Sequence, residues 1–180
     1  MKTIARRSML RARLLAVVLL VPAIPFAARA RDQAPANADG IAKMVRLMTE
    51  CGYSYQGTRS STVWKISLAG THMSNIKVVL AIGDDADSDL IVFVTVVEKQ
   101  YMPVTTDFMR HLLEQNHEID QVKIAYDADG DLEVRTDTSL RLADAQMLKH
   151  VVEQVRNASD DIYGQIQPSL VGAGPHPYDK

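Results

Sequence analysis

The sequence has 180 residues, a formal net charge of −2 and a single cysteine, Cys51. Six of its 20 basic residues and none of its 22 acidic residues fall in the first thirty positions, so the remaining 150 residues carry 14 basic and 22 acidic side chains, a net charge of −8. That length suits one domain with one core, the acidity argues against nucleic acid or an anionic membrane as partner, and one cysteine excludes an internal disulfide.

Residues 1–30 have the pattern of a cleavable export signal. A basic region precedes the apolar run Leu14–Ala28, and Ala28 and Ala30 supply small residues at positions −3 and −1 of a cleavage site. The run is shorter than the roughly twenty apolar residues that a spanning helix needs. The sequence therefore predicts cleavage, no stable membrane anchor afterwards, and a periplasmic or secreted protein that begins near Arg31.

The pair Arg6-Arg7 bears on the export route. Together with Ser8, Met9 and Leu10 it resembles the twin-arginine motif, in which two arginines precede a variable residue and two apolar ones. An arginine-rich general secretory signal has a similar composition. Both routes remain open at this stage.

The chain after the signal alternates helical and strand patterns. Residues 31–39 form a polar leader that we expect to be flexible, followed by a helix over about residues 40–51, with Asp39 as N-cap and Gly52 as its stop. Period-two or continuous apolar runs predict strands over residues 63–68, 76–82, 90–97, 119–126 and 132–136, with a short strand near 53–56. Further helices are predicted after Pro103, capped by Thr105 or Thr106, and over about residues 143–165.

This order predicts an α+β domain over residues 40–167. We expect an antiparallel sheet of about five strands with helices packed on one face, in the order α-β-β-β-α-β-β-α. The almost wholly apolar run Leu90–Val97 favours a central strand covered on both faces, and Asp127–Gly130 is typical of a hairpin turn. Residues 168–180 are rich in glycine and proline and predict a flexible tail.

The sequence does not point to catalysis or to a metal site. The acidic turn Asp84–Asp89 begins like a calcium loop, but Leu90 stands where a turn glycine is required and Val96 where the bidentate glutamate should be. The five histidines contain no pair at the i, i+4 spacing of helical zinc ligands, and the serines lie in turns without a nucleophile motif. We therefore expect no catalytic residue, no metal ligand and no cofactor.

Several side chains invite a binding or redox interpretation. Trp64 suits a recognition site on an open sheet face, and Met44, Met48 and Met109 suit an adaptable binding surface. Phe108 is a further binding candidate, and ordinary core packing also suits all five residues. The lone thiol of Cys51 either is buried at the end of the first helix or pairs between chains. Burial is favoured because free cysteine is among the most buried residue types.

The chain resembles the YbjN family in the residues of its second half and in its element order over about residues 40–166. The stretch Leu112–Ile119 is leucine-rich and contains Asn116, and Val122–Thr136 follows as a strand, an acidic turn with glycine, and a strand that ends in arginine. The family is similar in fold to class I type III secretion chaperones, which are small, acidic and often dimeric. The resemblance implies a non-enzymatic binding or regulatory role, a protein or peptide client, and a homodimer. The export signal departs from those chaperones, which act in the cytoplasm.

Two hypotheses follow from the sequence. The first is an exported, chaperone-like or regulatory protein that binds an extended client along a sheet edge or an apolar patch. The alternative is a periplasmic binder of a small molecule or lipid, held between the sheet and the helices. An enzyme has the least support, because its residues would have to converge from distant turns.

Overall fold

The computed structural model describes residues 38–83, 89–103 and 105–172. Within them the elements, in chain order, are α1 (Ala38–Glu50), β1 (Tyr55–Gly57), β2 (Val63–Leu68), β3 (Ile76–Ile82), β4 (Asp89–Val97), α2 (Thr106–Glu118), β5 (Lys123–Tyr126), β6 (Leu132–Ser139) and α3 (Ala145–Ile166). Short 3-10 helices at Lys99–Tyr101 and Gln167–Ser169 follow β4 and α3. The α+β class is confirmed, and the element order matches the prediction except that four strands, and not three, precede α2.

The six strands form one antiparallel sheet in the spatial order β1-β2-β3-β4-β6-β5. The sheet has one strand more than the predicted number of about five. β4 is central, as its composition predicted, and β6 pairs with it, so that β5 becomes the edge strand. The short β1 forms the opposite edge.

Local sequence explains where the helices begin and end. Gly52 has φ +74°, and the N–H of Tyr53 donates to the carbonyl of Met48 at 3.1 Å, which closes α1 in a Schellman-type turn. The side chain of Thr105 accepts from the N–H of Phe108 and caps α2 as predicted. Asp39, however, lies in the first turn of α1 and is not its N-cap, since the helix already includes Ala38.

The core lies between the sheet and the helices. α3 packs along β3, β4 and β6, α1 packs on α3, and α2 packs beside the edge strand β5. Each strand turns alternate side chains toward the helices, which is why the apolar positions of β2 and β3 recur with period two. Each fully buried Leu, Ile or Val contributes about 1.5–3 kcal/mol of transfer free energy. The core side chains with at most 2% exposure include Met44, Leu47, Met48, Ile66, Leu80, Leu90, Leu132, Leu148 and Ile162.

Two predicted details of the strands differ from the structure. β5 begins at Lys123 and not at Ile119, because Gln121 adopts φ +66°, outside the strand region, and residues 119–122 form the connection from α2. β4 is not covered by helices on both faces. Its side chains Ile91, Phe93 and Thr95 point away from the helices and are half-buried.

Several predicted segments fall wholly or partly outside the described residues. These are the export signal, the leader up to residue 37, the acidic turn at residues 84–88 and the tail from residue 173. The first residues of the predicted tail are described, and the N–H of Val171 donates to the carbonyl of Tyr101 at 2.8 Å. Within the described ranges, no helix is long and apolar enough to cross a membrane.

Candidate binding surfaces

The five side chains predicted for binding lie in different environments. Met44 and Met48 on α1 have no exposed surface, so they belong to the core. Trp64 on β2 and Phe108 on α2 are 4% and 6% exposed and belong to it as well. Met109 is 40% exposed. Of the five predicted residues, only Met109 is therefore presented at the surface for a partner.

Met109 belongs to a small exposed apolar surface at the edge of the sheet. Leu113, one turn later on α2, is 69% exposed, and Tyr126 on β5 is 41% exposed. The Tyr126 hydroxyl donates to Met109 Sδ at 3.1 Å, so the two elements meet here. Partial burial raises the pKa of the Tyr126 hydroxyl. We call Met109, Leu113 and Tyr126 the edge patch.

The backbone beside the edge patch belongs to an edge strand. The Asn116 side chain accepts a hydrogen bond from the N–H of Ile124 through Oδ1 at 2.9 Å. That N–H points away from β6, toward the position that a further strand would occupy. α2 thus satisfies one of the groups that an exposed edge would offer to another chain.

The face of the sheet opposite the helices is a second candidate surface. The register places Lys65 opposite Val79, Val79 opposite Phe93, and Phe93 opposite Arg135, so one row of side chains crosses β2, β3, β4 and β6. We call this surface the open face. Its described members are Gln56, Val63, Lys65, Ser67, Lys77, Val79, Ala81, Asp89, Ile91, Phe93, Thr95, Lys123, Ala125, Glu133, Arg135, Asp137 and Ser139.

A concavity of about 440 Å³ occupies the β2–β4 part of the open face. Val63, Val79, Phe93 and Met73 provide apolar lining, and Thr58 and Thr95 provide hydroxyl groups. Among the described residues, the charged lining consists of Lys65 and Lys77. Sequence reasoning missed this site, although the alternation in β2 and β3 already places both lysines on the face opposite Ile66 and Val78.

The β5–β6 part of the open face carries an ionic cluster instead. Asp137 bonds Arg135 Nη2 at 2.8 Å and also pairs with Lys123 on β5. Burial by itself raises the pKa of Asp137, but the hydrogen bonds from Arg135 and Lys123 outweigh it and the pKa is lowered. Glu133 is 6% exposed, and burial together with the charge of Asp127 raises its pKa. Both cations of this part of the face, Arg135 and Lys123, are therefore paired with Asp137.

The β2–β3 turn is fixed to α3 by a group of side chains spaced four residues apart. The Asp160 carboxylate accepts hydrogen bonds from the N–H groups of Thr71 (2.6 Å), His72 (2.9 Å) and Met73 (2.8 Å). Arg156 Nη1 donates to the carbonyl of Ala69 at 2.9 Å.

Gly164, four residues after Asp160, leaves room for the ring of His72. A Cβ added to Gly164 would lie 2.7 Å from that ring. We call Arg156, Asp160 and Gly164 the α3 clasp. Burial by itself raises the pKa of Asp160, but the three N–H donors lower it by more.

The remaining sequence candidates are placed as follows. Cys51 is half-buried after α1, and its Sγ donates to the carbonyl of Ala145 at 3.1 Å. Burial raises the pKa of this thiol. Asp127 Oδ1 accepts from the N–H groups of Asp129 and Asp131, both at 2.9 Å, as expected for a turn and not for a cation loop. Across residues 38–83, 89–103 and 105–172, no three His, Cys, Asp or Glu side chains are grouped as metal ligands.

A family profile and several solved structures match this chain. The YbjN profile, described as "Putative bacterial sensory transduction regulator", matches residues 43–168. YbjN from E. coli is similar in structure, with a TM-score of 0.53 and 11% sequence identity, over 74% of this chain and 96% of that chain. None of the curated proteins matches at a significant level.

Two protein complexes also contain similar chains. The ExsC–ExsE complex gives a TM-score of 0.50 at 12% identity, over 77% of this chain and 98% of that chain. The type III secretion chaperone SycH of Yersinia pestis, solved with a fragment of YscM2, gives 0.46 at 13% identity, over 70% and 98%. For YbjN of E. coli and the ExsC–ExsE complex, similarity at 11–12% identity establishes the fold alone.

Proposed function

Because this chain belongs to the YbjN family, we propose that it is a non-enzymatic protein that binds a protein or peptide client. The family resemblance inferred from the sequence is confirmed by the match over residues 43–168. The family description as a sensory transduction regulator supports a role exerted through another macromolecule.

The observation that carries this proposal is the edge patch. Met109 and Leu113 lie one turn apart on α2 and form a second apolar stripe beside the buried pair Phe108 and Leu112. A helix that needs only one apolar stripe for its own core presents the other to solvent or to a partner. Tyr126 extends that stripe onto the edge strand. A client that lays apolar side chains on α2 would bury all three.

Substitution of Leu113 tests the proposal. We expect Leu113→Glu to reduce client capture by about tenfold or more, because a carboxylate cannot be desolvated in an apolar contact without a partner. The measurement is quantitative mass spectrometry of proteins retained from a periplasmic extract. The matched control is Leu142→Glu, since Leu142 is 67% exposed but lies outside the edge patch.

A client that is retained by the wild type and by Leu142→Glu but lost with Leu113→Glu supports the proposal. Equal retention by all three proteins contradicts it. Light scattering on the same samples shows whether the edge patch instead joins two copies of this chain. In that case the wild type is a dimer and Leu113→Glu is a monomer, which supports the homodimer expected from the family resemblance.

Export to the periplasm is part of the same proposal. Its support is the amino-acid pattern of residues 1–30, above all the apolar run and the small residues Ala28 and Ala30. Replacing Arg6 and Arg7 by lysine tests the route. Loss of export in that variant indicates the twin-arginine pathway, and unchanged export indicates the general secretory pathway.

The alternative, a small molecule or lipid held between sheet and helices, has less support at that location. Side chains with 0–2% exposure fill the space where α1 and α3 meet the sheet. Leu80, Val92 and Leu148, for example, have no exposed surface. An interior packed in this way leaves a ligand little room, so we favour the surface-bound client.

A further inference from the structure

We infer that the edge patch binds its client as an amphipathic α-helix with basic side chains on its flanks, laid along α2. This form of binding rests on the proposed client-binding function and adds the structure that the client has at that site. The sequence predicts an extended client along a sheet edge or an apolar patch, whereas the geometry around β5 favours a helical one.

The edge of β5 offers an extended client few backbone partners. The strand has four residues, and its N–H groups point alternately to β6 and outward. Asn116 Oδ1 already accepts the outward N–H of Ile124 at 2.9 Å, which leaves Tyr126 as the one further residue of β5 with an outward N–H. Before the strand, Gln121 has φ +66° and interrupts the extended backbone. An added strand needs a ladder of main-chain hydrogen bonds, and this edge is too short to provide one.

The surface of α2 suits a second helix. A helix satisfies its own backbone hydrogen bonds, so it needs only side-chain contacts from the surface on which it lies. Met109 and Leu113 are four residues apart, which places them about one helical turn from each other along α2. Side chains with this spacing form a ridge that packs into the groove between two rows of side chains on another helix. Tyr126 borders the ridge, since its hydroxyl contacts Met109 Sδ at 3.1 Å.

The charges around the edge patch favour a basic client. Arg110 and Lys123, the only arginine or lysine residues of α2 and β5, are each ion-paired with an aspartate. Glu114 on α2 and Asp129 in the turn after β5 form no ion pair within the described residues. Lysine or arginine side chains beside the apolar stripe of the client would therefore meet carboxylates that have no cation of their own.

Two synthetic peptides of identical composition test this form of binding. Each has about 18 residues of leucine, lysine and alanine, which is long enough for a helix where the order of residues allows one. The helical peptide has leucine at i, i+3, i+4 and i+7, and the strand peptide has leucine at every second position. We expect the helical peptide to bind at least about tenfold more tightly in a fluorescence anisotropy titration. Carbon chemical shifts of the labelled peptide should be helical in the complex.

Substitution of Leu113 locates the helical peptide on the protein. Leu113→Ser should weaken its binding about tenfold through the lost apolar contact. Leu142→Ser is the matched control and should bind normally, since Leu142 is 67% exposed but lies outside the edge patch. Circular dichroism of each variant establishes that it is folded.

Removal of two carboxylates tests the basic flanks. Glu114→Gln combined with Asp129→Asn should weaken the helical peptide several-fold at low salt, and added salt should reduce the difference. Asp39→Asn combined with Glu50→Gln is the control, because it removes two exposed carboxylates from α1 and leaves the edge patch intact.

The helical form is wrong if the strand peptide binds as tightly as the helical peptide, or if neither peptide binds. It is also wrong if Leu113→Ser or the removal of the two carboxylates beside the edge patch leaves binding unchanged. Light scattering that shows a wild-type dimer broken by Leu113→Ser would make a second copy of this chain the occupant and would overturn it too. In each of these cases, a client from periplasmic extract whose retention depends on Leu113 would still support the proposed function, so the two failures are distinguishable.

Discussion

Asp160 orders the β2–β3 turn by accepting from three consecutive backbone N–H groups. A carboxylate in this position has two oxygens and no proton, so it matches a row of donors as no amide can. The acid is buried, and the sequence offered no sign of its role, because Asp160 occupies a helical position where an exposed acid is ordinary. Its partners lie 87 to 89 residues away in the chain.

We expect Asp160→Asn to lower the free energy of unfolding by about 1.5–3 kcal/mol, the range for hydrogen bonds to a charged group. The asparagine keeps the shape but turns an N–H₂ group toward backbone donors. Asp161→Asn is the control, since Asp161 is exposed and a surface change of this kind stays within about 0.5 kcal/mol. Chemical denaturation measures both, and equal stability of the two variants would refute the role of Asp160.

The same residue predicts a pH dependence. The pKa of Asp160 is lower in the folded protein than its unfolded value of about 3.9, so its contribution is complete above that value. The contribution is lost as the pH falls through the folded pKa. The stability difference between the wild type and Asp160→Asn should therefore be constant near neutral pH and shrink in strong acid. A difference that grows on acidification would contradict the assignment.

Gly70 allows the turn to approach α3. A Cβ on this residue would overlap the Asp160 carboxylate and the Cδ1 atom of Ile76. We expect Gly70→Ala to destabilise the fold by about 1–3 kcal/mol, as overpacking does. Gly57→Ala is the matched control, because a Cβ there meets nothing within 4 Å. Thermal unfolding distinguishes them, and a Gly70→Ala protein as stable as Gly57→Ala would show that the contact is loose.

At the scale of elements, α2 both packs against the core and forms a hydrogen bond to the edge strand β5. Phe108 and Leu112 anchor the helix in the core, while Asn116 satisfies the N–H of Ile124 on the edge strand. Edge strands that keep such groups free recruit other chains indiscriminately. The protein thus covers part of the β5 edge with a side chain and leaves the adjacent edge patch exposed.

Removal of the Asn116 amide should loosen β5 locally. We expect Asn116→Ala to cost about 1 kcal/mol and to speed hydrogen exchange at the Ile124 amide several-fold, because that N–H then faces solvent. His117→Ala serves as control, since His117 is exposed on the same helix. Amide exchange followed by NMR gives the answer, and unchanged protection of Ile124 would rule out the capping role.

Local sequence features predicted the helices and strands well, but they did not predict which strands pair in the sheet. The period-two pattern of residues 63–68, the cap at Thr105 and the turn at Gly130 depend on neighbours a few residues apart, so the sequence shows them directly. The placement of β6 beside β4 depends on pairing across α2, which no local pattern encodes. The concavity around Lys65 and Phe93 likewise requires the register of three strands.

At the scale of the whole molecule, removal of residues 1–30 changes the charge from −2 to −8. The full sequence has a pI of about 6.2. We expect protein isolated from the periplasm to begin at Arg31 and to focus at a clearly lower pH, because six basic side chains and no acidic ones are lost. Intact-mass measurement and isoelectric focusing check this. An uncleaved chain of full mass would contradict it, and Ala30→Leu, which blocks the small-residue site, provides the precursor for comparison.

The α3 clasp also sets an order of events during synthesis. The ribosome makes the β2–β3 turn nearly ninety residues before Asp160, so the three turn amides lack this acceptor until then. Closing so long a loop is slow compared with forming a helix or a hairpin. A general secretory route could use that interval to thread the chain while it is still open. A twin-arginine route, which carries folded proteins, would have to wait until α3 has closed on the hairpin.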